Sequence, residues 1–111
     1  MILGLISDTH GLLRESAVRA LSGTDLIVHA GDVGKPEILE TLRKIAPVVA
    51  VRGNVDVDDW AAALPVTAEA AAGKSRIYVL HDVNDLRIDP VAAGFSFVVS
   101  GHSQQPNIRV S

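Results

Sequence analysis

The sequence predicts an α/β fold with a largely parallel sheet, on three observations. Short β-branched runs alternate with segments of helical character. Five of those runs end on a residue able to bind a metal, as the strands of an α/β sheet do when a site gathers at their carboxyl ends. The chain has 111 residues, 48% of them apolar, enough for one core and one domain spanning residues 1–111.

Taken in order, Ile2 to Ser7 reads as a strand, and Arg14 to Leu21 as a helix ended by Gly23. Asp25 to His29 is a second strand. Pro36 to Ile45 is a second helix, with proline in the first turn, where a missing N–H costs nothing. Val48 to Arg52 is a third strand, followed by a polar, acidic loop from Asn54 to Trp60. Thr67 to Ala71 and Arg76 to Leu80 form a hairpin about Gly73 and Lys74. Asp89-Pro90 and Gly94 bracket one helical turn, Phe95 to Ser100 is a strand, and "NIRV" begins another. There is no internal repeat, low-complexity tract or linker.

The composition excludes several classes of function. Without cysteine there is no disulfide, thiolate metal site or cysteine nucleophile, so any metal is held by oxygen and nitrogen. A net charge of −3 argues against a general grip on nucleic acid. No apolar run approaches the roughly 20 residues of a membrane span, and the N-terminus lacks a basic region and cleavage site. The expected location is the cytoplasm.

The polar residues at the strand ends are Asp8 and His10 after "ILGLIS", Asp32 after "LIVHAG", Asn54 and Asp56 after "VVAVRG", His81 after "RIYVL", and His102 after "FSFVVSG". Gly31, Gly53 and Gly101 stand beside three of them and suit a chain that turns sharply or approaches closely. Carboxylate, imidazole and amide donors without sulfur suit Mn²⁺, Fe²⁺, Zn²⁺ or Mg²⁺. Seven candidates exceed the needs of one ion. Two ions roughly 3.5–4 Å apart, bridged by a carboxylate and a water, make a hydroxide nucleophile and clamp phosphoryl oxygens.

"DTH", "GD", "GN", a lone "H" and "GH" in this order resemble the signature of the calcineurin-like metallophosphoesterases, most of all their small bacterial and archaeal phosphodiesterases, from Met1 to about Pro106. The resemblance implies a two-sheet β-sandwich flanked by helices, with the site at one edge. It gives Asp8, His10 and Asp32 to a first ion, and Asp32 as bridge with Asn54, His81 and His102 to a second. The implied ions are two divalent cations, Mn²⁺ first, with Fe²⁺, Zn²⁺, Ni²⁺ or Mg²⁺ as alternatives. The implied reaction is hydrolysis of a small phosphate ester, chiefly a diester, by in-line attack of a metal-bridging hydroxide. Asp32, Asn54 and His81 are its central residues.

Three departures from the family pattern stand out. Where the family usually reads "GHTH", this chain reads "GHSQQP", so the neutral amide Gln104 occupies the position of a first-ion histidine. Val55 follows "GN" where many larger relatives carry a histidine that assists the leaving group, and valine has no proton to give. The relatives usually continue with strands that complete the second sheet, whereas this sequence stops at Ser111. The expectation is a sheet cut short, or an edge covered by self-association into a homo-oligomer.

Singly, each candidate has a plainer reading. Asp8 could cap the following helix and Asp32 could sit at a turn; their joint pattern outweighs this. His29, inside an apolar run, is expected to pack or to support a ligand from behind. Asp56, Asp58 and Asp59 are expected in a solvated loop, with Asp56 bonding to loop backbone. Trp60 is expected to pack, and Asp82 and Asp85 to be surface charges. "AEAAAGKS" ends like a phosphate-binding loop, but Ala68 stands where glycine is required and a β-rich run follows. Two further classes stay open: a non-catalytic metal-binding or protein-interaction scaffold with the same fold, as in the retromer subunit, and a doubly wound nucleotide-binding domain, which lacks its glycine-rich first turn.

Overall fold

The computed structural model describes residues 2–101 and the backbone of 107–110. Its first half forms a parallel sheet in the order β1 (Leu3–Ile6), β2 (Leu26–His29), β3 (Val48–Ala50). The crossovers carry α1 (Glu15–Leu21) and α2 (Pro36–Arg43). The register sets Ile6 opposite His29 and His29 opposite Ala50. All three strands therefore end in one row, and the segments that follow leave the sheet side by side.

The second half forms a four-stranded sheet in the order β4 (Thr67–Ala72), β5 (Ser75–Leu80), β6 (Phe97–Ser100), β7 (Asn107–Val110). β5 and β6 run parallel, while the β4-β5 hairpin and the β6-β7 pair are antiparallel. The hairpin turns at Gly73 and Lys74, as its sequence predicts, and β5 follows where a phosphate-binding loop would need a helix.

The period of two along each strand explains how the sheets and helices meet. Ile6, Ile27, Val48 and Ala50 pack on the helix side with Leu21, Ile38, Leu39 and Leu42. Leu5, Val28, Val49 and Val51 turn the other way, onto Ile77, Val79 and Val99 of the second sheet. The first sheet is buried on both faces, which is why its strands read as nearly unbroken apolar runs. In α2, Ile38, Leu39 and Leu42 make the apolar stripe, Pro36 opens the first turn, and Glu37 and Arg43 suit the two ends of the helix dipole.

Boundaries differ from the sequence reading for local reasons. Arg14 is extended and precedes α1 rather than beginning it, and α2 ends at Arg43 rather than Ile45. β6 starts at Phe97 because Phe95 donates its N–H to Pro90 O and closes the turn capped by Asp89, whose Oδ1 accepts from Val91 and Ala92. The Phe95 ring instead meets Tyr78 edge-on at 5.2 Å, beneath the Arg76 guanidinium. The stretch read as a loop after Asn54 ends in a 3-10 turn, Asp59–Ala63, whose Trp60 packs against the helix-side core. Among the described residues no helix is long and apolar enough to cross a membrane.

Candidate metal centre

Beyond the strand ends, the backbone keeps the first two loops stitched together. Ala30 N–H donates to Ile6 O, Asp8 N–H to Gly31 O, His10 N–H to Asp32 O and Gly11 N–H to Val33 O, all at 2.8–2.9 Å. Asp8, His10 and Asp32 hold φ of 55°, 49° and 57°; they are the non-glycine residues in the left-handed region among those described. Asp and His tolerate this region better than most, and backbone strain of roughly 1–3 kcal/mol per residue gathers where a site over-determines the chain. Asp8 is no helix cap, since Arg14 holds that position at α1.

The side chains converge. One donor atom each from Asp8, Asp32 and His81 lies within 4.8 Å of the others. His10 Nε2 stands 3.9 Å from Asp8 Oδ1 and 3.8 Å from Asp32 Oδ2, with its ring open to solvent. Ser7 Oγ donates to Asp8 Oδ2, and Val55 N–H donates to Asp32 Oδ1. Asp32 Oδ1 is thereby engaged with backbone, and Oδ2 is the oxygen turned to both imidazoles.

His81 tests whether a cation fits. Its Nδ1 lies 2.7 Å from Ala30 O, a carbonyl that only accepts, so Nδ1 carries the proton. That bond turns the other ring nitrogen, Nε2, toward Asp32 Oδ2, 3.1 Å away. With an Asp8 carboxylate oxygen close by, this gathers one nitrogen and two carboxylate donors within 4.8 Å. A ring nitrogen fixed by a carbonyl with the other turned to a carboxylate cluster is the arrangement metal-bound histidines use. The residues therefore fit a divalent ion held by oxygen and nitrogen.

Two of the flanking glycines are required by this crowding. At Gly31, with φ of 98°, a methyl would fall 2.7 Å from His81 Nδ1; at Gly53 it would overlap the Asp32 backbone N and Oδ1. Gly53 and Gly101 are not left-handed, so close approach rather than turn geometry explains them. A cavity of about 520 Å³ opens on Asp8 and His10, lined also by Leu12 and Arg14. One of about 210 Å³ opens on His81 and Asn54, with Arg52 and Asp85. Asn54 thus reaches the His81 side of the site, while His102 and Gln104 lie outside the described residues.

Behind the donors lies a polar layer that the sequence disclosed only in part. Gly31 N–H donates to His29 Nδ1, which leaves the proton on Nε2, bonded to Thr9 Oγ1 at 3.0 Å; the Thr9 hydroxyl donates onward to Val33 O. His29 is the supporting histidine its apolar setting suggests. Asp56 bonds to its loop backbone as expected, through Gly53 N–H, but is not solvated: it is 2% exposed, and its carboxylate also accepts from Val33 and Gly34 N–H. Two of those donors lie more than 20 positions away in sequence, so only "GNVD", an acidic residue just past a strand end, hinted at the role. Asp82 is partly buried and accepts from Asn84 N–H in the 3-10 turn after His81, while Asp85 is exposed.

Burial lowers the His29 pKa from 6.5 to about 4, against the nearby Asp56 charge, which raises it. The folded protein keeps this ring neutral while the unfolded chain protonates it below pH 6.5. Stability is therefore lost as pH falls through the window from 6.5 to about 4. The loss amounts to roughly 3 kcal/mol at the acid end. Urea unfolding at pH 7 and pH 4.5, in chelator, should show a drop that is smaller in His29→Asn by most of this amount. Parallel pH dependences in the two proteins would contradict the burial argument.

A model of the calcineurin-like phosphoesterase superfamily domain matches residues 1–111. Probable metallophosphoesterases of the archaea Methanothermobacter thermautotrophicus and Methanocaldococcus jannaschii are 33% and 35% identical to this chain, over 98% and 97% of its length. The chain spans 70% and 61% of those two relatives. Wild-type Vps29 from Entamoeba histolytica, solved in complex with Zn²⁺, superposes with a TM-score of 0.70 at 20% identity, over 97% of this chain and 72% of Vps29. At that identity the likeness concerns the fold, which is the two-sheet architecture described above. With the family model matched over its whole length, this chain belongs to the calcineurin-like phosphoesterase superfamily.

Proposed function

We propose that this chain is a metal-dependent phosphoesterase acting on small phosphodiesters, with Mn²⁺ as the preferred ion and two ions at the site. The observation that carries the reading is the convergence of Asp8, Asp32 and His81 donors within 4.8 Å, with His10 beside them, in a family of hydrolases that depend on metals. Asp8, His10 and Asp32 hold one ion, with Gln104 at its remaining family position. Asp32, Asn54, His81 and His102 hold the other. Asp32 would contribute to both, its Oδ1 already accepting from Val55 N–H and its Oδ2 facing the His10 and His81 rings. Bound divalent ions supply Lewis acidity toward phosphoryl oxygens and a nucleophile from water at neutral pH.

This chain's own residues do the rest. Asn54 holds a phosphoryl oxygen on the His81 side, and the cavity beside it receives one ester arm. Val55, 45% exposed, gives no proton to the leaving group, so esters with good leaving groups are favoured. Purified protein should hydrolyse a chromogenic phosphodiester with Mn²⁺, fall to background with EDTA, and recover when Mn²⁺ is returned in excess. A folded protein without turnover across Mn²⁺, Fe²⁺, Zn²⁺ and Mg²⁺ would overturn the reading in favour of the scaffold.

A further inference from the structure

We propose that Asp56 is the positioning residue that sets the separation between the Asp32 loop and the Asn54 loop, and so tunes ion affinity without touching an ion. The inference rests on the metal-site reading above. Its basis is geometric. The Asp56 carboxylate is buried and takes three backbone N–H groups: Val33 at 3.1 Å, Gly34 at 2.9 Å and Gly53 at 2.9 Å.

Val33 and Gly34 directly follow Asp32, and Gly53 directly precedes Asn54. The three donors thus come from both loops and meet on one side chain. Asp56 Oδ2 alone spans the two, accepting from Val33 and from Gly53. A bond from Val55 N–H to Asp32 Oδ1 crosses the same gap in the other direction. Charge-assisted bonds to backbone N–H are about twice as strong as neutral ones, and three of them satisfy most of a buried carboxylate's acceptor capacity. A neutral amide of the same size offers one acceptor oxygen, and its NH₂ would face backbone N–H groups that have nothing to accept. The two loops would then part, and with them the donors on Asp32 and Asn54.

The test is Mn²⁺ affinity by titration calorimetry, read without substrate. Asp56→Asn should bind Mn²⁺ about 10- to 100-fold more weakly than the parent, the range typical when a residue supporting a metal ligand is lost. Asp58→Asn, an exposed carboxylate in the same loop, should leave affinity unchanged. Should Asp56→Asn fail to unfold cooperatively, Asp56→Glu is the second variant. It keeps the charge and acceptors but adds a methylene that pushes the loops apart, and it should weaken binding in the same direction. Parent-like affinity in a folded Asp56→Asn or Asp56→Glu would overturn the proposal. A parent that binds no Mn²⁺ would instead overturn the metal-site reading, and the positioning role with it; the parent's own titration tells the two failures apart.

Discussion

Asp32→Asn should cut Mn²⁺-dependent phosphodiester hydrolysis by about 10³-fold or more. The Asp32 carboxylate lies at the centre of the cluster, with Oδ2 3.1 Å from His81 Nε2 and 3.8 Å from His10 Nε2. On the proposed two-ion reading, replacing the shared anion by a neutral amide weakens both halves of the site at once, and a loss of roughly 4 kcal/mol in transition-state stabilisation gives the stated factor. The substitution keeps an oxygen for Val55 N–H, so the loop should stay in place. Circular dichroism and thermal unfolding close to the parent's would place the loss in chemistry rather than in folding. Activity within tenfold of the parent would remove Asp32 from the centre of the reaction.

Gly34→Ala should be among the most damaging additions of a single methyl group, costing about 4 kcal/mol of stability. Gly34 has φ of 91°, outside the range an alanine adopts without strain. Its Cβ would also overlap Gly11 N and the His10 carbonyl carbon, backbone atoms that have no rotamer to change. The adjacent Gly11 N–H to Val33 O bond, 2.8 Å, holds the two loops at this contact, so relief by moving one loop breaks it. Overpacking of this kind typically costs 1–3 kcal/mol on top of the backbone strain. Gly73→Ala is the comparison: φ is also positive there, at 61°, but nothing lies within 4 Å of the added carbon. It should cost about 1 kcal/mol, from strain alone. Urea midpoints for the two variants should differ several-fold in their shift. Equal shifts would mean that the close approach of the loops is unimportant.

Much of this protein was legible in one dimension. The β-branched runs, Pro36 and the Gly73-Lys74 turn identify elements because their signals are local, each set within a few residues. Asp8, His10, Asp32, Asn54 and His81 stood out because a strand that stops abruptly at a polar residue exposes the end of a sheet. Phe95 misled because a β-favouring aromatic was taken into the turn closed by Pro90 O. Asp56 misled because acidic neighbours at 58 and 59 made one solvated stretch of residues with different fates.

The sequence alone therefore determined which polar residues follow the strands and which family the chain resembles, since chain-local periodicity and motif order need no knowledge of neighbours. The tertiary structure decided how those ends meet. The register that aligns Ile6, His29 and Ala50 in one row, the left-handed turns at Asp8, His10 and Asp32, and the tautomer of His81 fixed by Ala30 O all depend on segments distant in sequence. So does the burial of Asp56: its carboxylate leaves water only because backbone N–H groups 22 and 23 residues away, at Gly34 and Val33, arrive to bond it.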